Sequence, residues 1–352
     1  MKQEIKETIE KISPPDQEWL KKAQVYIDNL VKPVGSLGRL EEFAAKIVAI
    51  QQTMEPSLEK KRVVLMAGDH GVVDEGISLY PQEVTCAMVG NFIGGGAAVC
   101  VLARHAGADV TVVDMGVAAD LEPADGLLIR KVRKGTDNFA KGPAMSVEDA
   151  EKAILTGIEI AKEMKAAGAR TILTGDMGIG NTTPSAAVCA VITGMSPGEL
   201  AGRGTGLDDE GVAKKAAVIE KGIELNKPDA KDAIDVLSRV GGLEIAGLCG
   251  LILGGCAEGM VVVVDGFIST AGLLAAWKMC PTVLDLIFPA HRSAESGHSK
   301  VLEFLKVRPI LDLDMRLGEG TGAIEALHLL EASMRMFREM STFSEAGVKR
   351  EE

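Results

Sequence analysis

One carboxylate of this chain stands between glycines. In Met315-Arg316-Leu317-Gly318-Glu319-Gly320-Thr321-Gly322-Ala323 it follows an apolar run and precedes a helical pattern. Glycines on both sides let backbone and ligand approach closely and permit backbone angles that other residues avoid. Glu319 therefore reads as a working acid or base, the alternative being a first-turn helix carboxylate favoured by the helix dipole. Repetition favours the first reading. Other apolar runs end in Gly68-Asp69-His70-Gly71, Asp114-Met115-Gly116, Gly175-Asp176-Met177-Gly178, Asp265-Gly266 and His291-Arg292-Ser293. If the runs are strands of a parallel sheet, these loops converge at the strand carboxyl ends, where such sheets bind ligands.

Two loops have the chemistry to hold an anion. Gly178-Ile179-Gly180-Asn181-Thr182-Thr183-Pro184 leads through amide and hydroxyl groups into a helix, so free amides at the helix start suit a phosphate, the alternative being an ordinary capped helix. Gly202-Arg203-Gly204-Thr205-Gly206 enters a second helix and adds the positive charge of Arg203, with Lys214 and Lys215 one to two turns on. Neither is a Walker A loop, and no Gly-x-Gly-x-x-Gly follows a strand, which points to a mononucleotide rather than ATP or NAD. Val261 to Gly272 has the look of the ribose-holding signature of enzymes that use phosphoribosyl pyrophosphate. Gly266 replaces the second carboxylate there, which leaves Asp265 as a ligand contact and not a metal ligand, or as the end of a buried strand at a helix cap. The five histidines show no zinc-binding spacing, and the adjacent side chains of Asp69 and His70 point apart, which fits loop fixing. Glu75 to Gln82 carries one of only two tyrosines, Tyr80, beside apolar and amide groups, as a wall for a flat heterocycle or as a surface turn packed by Tyr80.

These residues need a scaffold of some size. With 352 residues the chain can bury a large core in one or two domains. Aromatics are 3%, so that core is aliphatic. The formal charge of −12 argues against an extended nucleic-acid partner. The charged amino terminus fits no signal peptide. The longest apolar stretch, Leu243 to Val264, is broken by Glu244 and Glu258 and reads as a buried helix and strand rather than a membrane span. Six scattered cysteines without a Cys-x-x-Cys pair fit small core residues in a reducing cytoplasm. Up to about Thr53 the periodicity is helical. Beyond Arg62 short apolar runs (Val63 to Ala67, Val110 to Val113, Thr171 to Leu173, Met260 to Val264, Val283 to Phe288, Ile310 to Leu313) alternate with helical ones, the pattern of an α/β fold with a mostly parallel sheet of about six strands. The charged tail Lys349-Arg350-Glu351-Glu352 reads as solvated.

Taken together and in this order, Lys32 to Glu41, Ala67 to Val72, Glu75 to Pro81, Met177 to Pro184, Gly202 to Asp208, His291 to Glu295 and Met315 to Ala323 closely resemble the nicotinate-nucleotide:dimethylbenzimidazole phosphoribosyltransferases, which prepare the lower nucleotide ligand of cobalamin. The resemblance implies a Rossmann-like large domain over residues 61–320 and a small helical domain built from residues 1–60 and 321–352. It also implies a homodimer. The implied reaction moves phosphoribose from nicotinate mononucleotide to a benzimidazole-type base without metal or cofactor. Glu319 would be the general base. Asp176 would stand where the family places a Glu near the departing nicotinate. Gly178, Gly180, Asn181, Thr182, Thr183, Gly202, Arg203, Gly204, Thr205 and Ser293 would hold phosphate and ribose, with Lys215, Asp265 and Gly320 nearby. Ser78, Tyr80, Gln82 and Leu317 would face the acceptor. Two other readings stand beside it: a base phosphoribosyltransferase using phosphoribosyl pyrophosphate, and a non-catalytic nucleotide sensor.

Overall fold

The computed structural model describes residues 1–349; the charged tail beyond Lys349 lies outside them. Six parallel strands form one sheet: β1 (Lys61–Gly68), β2 (Asp109–Gly116), β3 (Leu127–Ile129), β4 (Thr171–Met177), β5 (Val261–Val264) and β6 (Ile287–Pro289), in the order β3-β2-β1-β4-β5-β6. The central strands are near-continuous apolar runs because helices cover both faces; Val261 to Val264 are all buried. This is the doubly wound order of a Rossmann sheet, whose direction of winding reverses between β1 and β4. Gly68 and Met177 end those two strands side by side, so the crevice opens next to Asp69, Asp176 and Gly178.

The sequence expectation of about six parallel strands holds, with two changes of membership. Leu127–Ile129 pairs with β2 although three residues are too few to show a period. Within Val283 to Phe288, the first four residues form a helical turn and only the end becomes β6. Leu311–Asp312 (β8) lies outside the main sheet and pairs with His291–Arg292 (β7). Leu243 to Val264 is, as expected, a buried helix, Leu243–Ala257, followed by β5. A different segment, Glu83–Ala106, has the length and apolarity of a membrane span. It is two helices, Glu83–Ile93 and Ala98–Ala106, separated by three glycines of which Gly95 is left-handed, and both lie against the sheet.

Close helix packing holds the layers in place. Helix Leu243–Ala257 lies against Val147–Ala166 with glycines at the crossing. A Cβ at Gly157 would stand 2.0 Å from the Gly247 carbonyl oxygen, and one at Gly250 1.9 Å from that of Ile154. Helices Gln3–Glu10, Gln17–Asp28 and Arg39–Gln51 precede β1. They meet the long final helix, Thr321–Glu339: the Tyr26 and Phe337 rings lie 4.8 Å apart, and the Val31 amide donates to the Ser341 carbonyl at 3.0 Å. That helix begins one residue after Gly320, so the chain ends meet the element that carries Glu319.

Candidate active site

Gly318, Glu319 and Gly320 have φ of +81°, +64° and +91°, three left-handed residues in a row. For glutamate this backbone is strained and persists only where the surroundings impose it. Two features impose it. Gly175 has no side chain, and a Cβ there would lie 2.6 Å from the Glu319 carbonyl oxygen, so the turn sits directly on β4. Asp265, just after β5, accepts from the amides of Gly320 (3.1 Å) and Ala323 (2.8 Å), holding the start of the final helix. The glycines that drew attention in the sequence are thus required by this turn.

Four carboxylates are buried around it. Burial raises the proton affinity of Glu319, the Val99 amide opposes this, and the negative charge of Asp265 adds to it. Asp176 lies well above the usual carboxylate range, through burial first and then repulsion from Asp265, with Glu244 and Glu319 adding to it; its hydrogen bond from Asn181 Nδ2 at 3.0 Å opposes the shift. Behind them His70 Nε2 lies 2.8 Å from Glu244 Oε1, both fully buried. Burial alone would discharge this imidazole, but the facing Glu244 carboxylate outweighs it and raises its proton affinity. Asp69 points elsewhere and accepts from the Ala118 amide at 2.7 Å, so the Asp69-His70 pair fixes two different loops.

The two glycine loops expected to hold an anion lie side by side, with one exchange of charge. Asn181 and Thr182 open helix Thr182–Thr193, no side chain among the described residues caps it, and both line the cavity. Lys215 is buried; its ammonium donates to Thr182 Oγ1 (3.1 Å) and to the Gly202 carbonyl (2.9 Å), tying the two loops together. Gly204 and Thr205 line the cavity, while Gly202 sits behind it. Arg203 turns outward: its guanidinium donates to the Leu207 carbonyl and pairs with Asp209 on the surface. The expectation that it charges the site therefore fails, because its own helix start captures it. Arg316 takes the place, lining the cavity and donating to the Gly204 carbonyl at 2.9 Å.

A cavity of about 430 Å³ joins these parts, within the range of small-molecule sites. Asp176, Glu319, Gly178, Gly180, Ser78, Tyr80, Leu317 and Ser293 line it as expected. Thr183, Asp265 and Gly320 are buried outside the lining, and Gln82 stands at the start of helix Glu83–Ile93, also outside it. Ile77, Val84, Met88, Met177 and Phe267 supply an apolar wall that sequence reading passed over. His291 and Glu295 were also passed over as site residues, because His-Arg-Ser-Ala-Glu-Ser carries no apolar alternation. Only the fold shows burial alternating from His291 to Ser296, which puts His291, Ser293 and Glu295 on one face of an extended segment. Glu295 Oε1 accepts from the Gly204 amide at 3.0 Å.

A phosphoribosyltransferase family profile matches residues 12–348. The chain belongs to that family. It is 54% identical over 344 residues to the nicotinate-nucleotide–dimethylbenzimidazole phosphoribosyltransferase of Geobacter sulfurreducens, covering 98% of each chain. It is 55% identical to the enzyme of the same name from Geotalea uraniireducens, again over 98% of both. The crystal structure of CobT from Thermus thermophilus superposes with a TM-score of 0.90 at 46% identity, covering 95% of this chain and all of that one. The α/β architecture and the recognised family thus agree with the sequence expectation.

Proposed function

We propose that this chain transfers the 5-phosphoribosyl group of nicotinate mononucleotide to 5,6-dimethylbenzimidazole, giving alpha-ribazole 5'-phosphate and nicotinate. The observation that carries the reading is Glu319: a carboxylate of raised proton affinity, held on a strained turn, facing a cavity with an apolar wall on one side and an anion cradle on the other. One benzimidazole nitrogen attacks the ribose C1' with its lone pair, and the C1'–pyridinium bond breaks with its electrons passing to the nicotinate ring, which leaves neutral. The proton on the second benzimidazole nitrogen goes to Glu319. The positive charge of the alkylated ring makes that proton acidic, so a carboxylate of raised proton affinity is a matched base. Backside attack inverts C1'. Holding the two rings on opposite faces of one sugar accounts for much of the rate, since aligned reactants save about 7–11 kcal/mol.

The phosphate fits the start of helix Thr182–Thr193 with Lys215, and the acceptor fits the Ile77, Val84, Met88 and Leu317 side. A homodimer acting in the cytoplasm and a small domain drawn from both chain ends belong to the same reading; the free cysteines and the Tyr26–Phe337 contact support the cytoplasm and the small domain respectively. The test is product analysis with purified protein, nicotinate mononucleotide and dimethylbenzimidazole. Wild type is expected to form alpha-ribazole phosphate, and Glu319→Gln to lose about 10²–10⁴-fold in kcat while still binding the nucleotide. Absence of product from folded wild type, or turnover only with phosphoribosyl pyrophosphate, would overturn the assignment.

A further inference from the structure

Asp265 is buried, and each of its oxygens already accepts a backbone amide, Gly320 N on one and Ala323 N on the other. Its own amide donates to Thr174 Oγ1 on β4 at 3.0 Å, so it joins β4, β5 and the final helix at one point. A helix start can be held by Asn or Ser without charge. Burying a carboxylate is costly, so the charge calls for a use. His291 on β7 faces it, with Nε2 3.8 Å from Asp265 Oδ1, and the turn brings the other acids close: Asp265 holds the Gly320 amide next to Glu319, and a Cβ at Gly318 would lie 3.2 Å from Asp176 Oδ2 on β4; Glu244, paired with His70, is a further buried acid of the site. Among the described residues, neither ring nitrogen of His291 has a hydrogen-bond partner. Two carboxylates that line the cavity, Glu319 and Asp176, thus have Asp265 behind them; burial raises its proton affinity, and the His291 ring and the amides it accepts work against that.

We propose that Asp265 is a positioning residue for the transfer, fixing the left-handed turn that carries Glu319 and setting a second buried negative charge behind that carboxylate, which strengthens it as a base. The proposal rests on the reading of Glu319 as the base. Asp265 touches no substrate and acts through the Gly320 and Ala323 amides and through its charge. The raised proton affinities of Glu319 and Asp176, each with Asp265 among its causes, agree with this geometry.

The experiment is the pH profile of kcat/KM for the acceptor in wild type and Asp265→Asn. The Asn keeps an acceptor oxygen for one amide and loses the charge. The acid limb, where protonation of Glu319 stops the reaction, is expected to move down by about half a unit or more, because a missing anion makes Glu319 easier to ionise. The plateau is expected to fall about tenfold as the turn loosens, with the KM for nicotinate mononucleotide unchanged. An acid limb that stays in place in a folded, active variant overturns the proposal, since a purely structural cap would lower the plateau alone. If Asp265→Asn does not fold, Asp265→Ser, whose hydroxyl can hold a helix start without charge, is profiled instead. The same downward move of the acid limb is expected, and a limb that stays in place overturns the proposal. Failure of wild type to turn over would instead sink the functional reading, so the two failures are distinguishable.

Discussion

Lys215 shows how burial turns a common side chain into a pH-sensitive one. Its surroundings lower its pKa to about 8, burial being the main cause and the Glu295 carboxylate opposing it. In the free enzyme the ammonium is thus charged below about pH 8 and loses its proton above it. If it holds the nucleotide phosphate, kcat/KM for nicotinate mononucleotide should fall as pH rises through about 8, while kcat at saturation stays level because bound phosphate keeps the lysine charged. Lys215→Met should weaken nucleotide binding and remove this basic limb; its survival in the variant would assign the limb elsewhere. The sequence placed Lys214 and Lys215 together one to two turns past a glycine loop; in the fold Lys215 is the buried one, outside the cavity lining and tied to Thr182 and Gly202. Arg203 and Arg316 were not separable in that way. Both neighbour glycines or stand close to them, and only the folded loop shows that Asp209 and the Leu207 carbonyl hold the first while the second reaches Gly204.

Element by element, strong periodicity was readable and short contacts were not. β1, β2, β4 and β5 declared themselves as apolar runs ending in polar loops, and the loops carry the site because parallel strands deliver them to one edge. β3 did not, since three residues give no period, and Val283 to Leu286 is apolar without being extended. The crossing of helices Val147–Ala166 and Leu243–Ala257 was also invisible, because a glycine in an apolar helix says nothing about what will lie against it. That crossing gives a sharp prediction. In Gly250→Ala the new methyl would stand 1.9 Å from the Ile154 carbonyl oxygen and 2.7 Å from its carbon, atoms of a neighbouring backbone that cannot rotate away. The helices must separate, at a cost of about 1–3 kcal/mol or more. Chemical denaturation should show a clearly lower midpoint than wild type. An unchanged midpoint would mean that the crossing is looser than drawn.

At the scale of the whole molecule, the turn that carries Glu319 leads into a helix that the opposite end of the chain holds down. Ile5, Ile27, Phe43 and Ile47 from the first helices, the central strands, and Ile324, Leu330 and Phe337 of the final helix form one continuous core. The family resemblance implied a small unit made from both ends. The packing predicts that such a unit has no stability of its own, because it shares that core with the sheet. Phe337→Ala is the test. Phe337 is 2% exposed and packs against Tyr26, so its removal should cost about 3–5 kcal/mol although it lies far along the helix from Glu319. If the molecule unfolds as one unit, far-UV circular dichroism and transferase activity should be lost at the same, lowered denaturant concentration. If activity disappears first and most helical signal survives, the chain ends melt separately. The Gly318-Glu319-Gly320 turn would then be fixed by Gly175 and Asp265 only as long as the final helix stays docked. Either order of events locates the force that keeps a glutamate in a left-handed backbone: in the shared core, or in the docking of one helix.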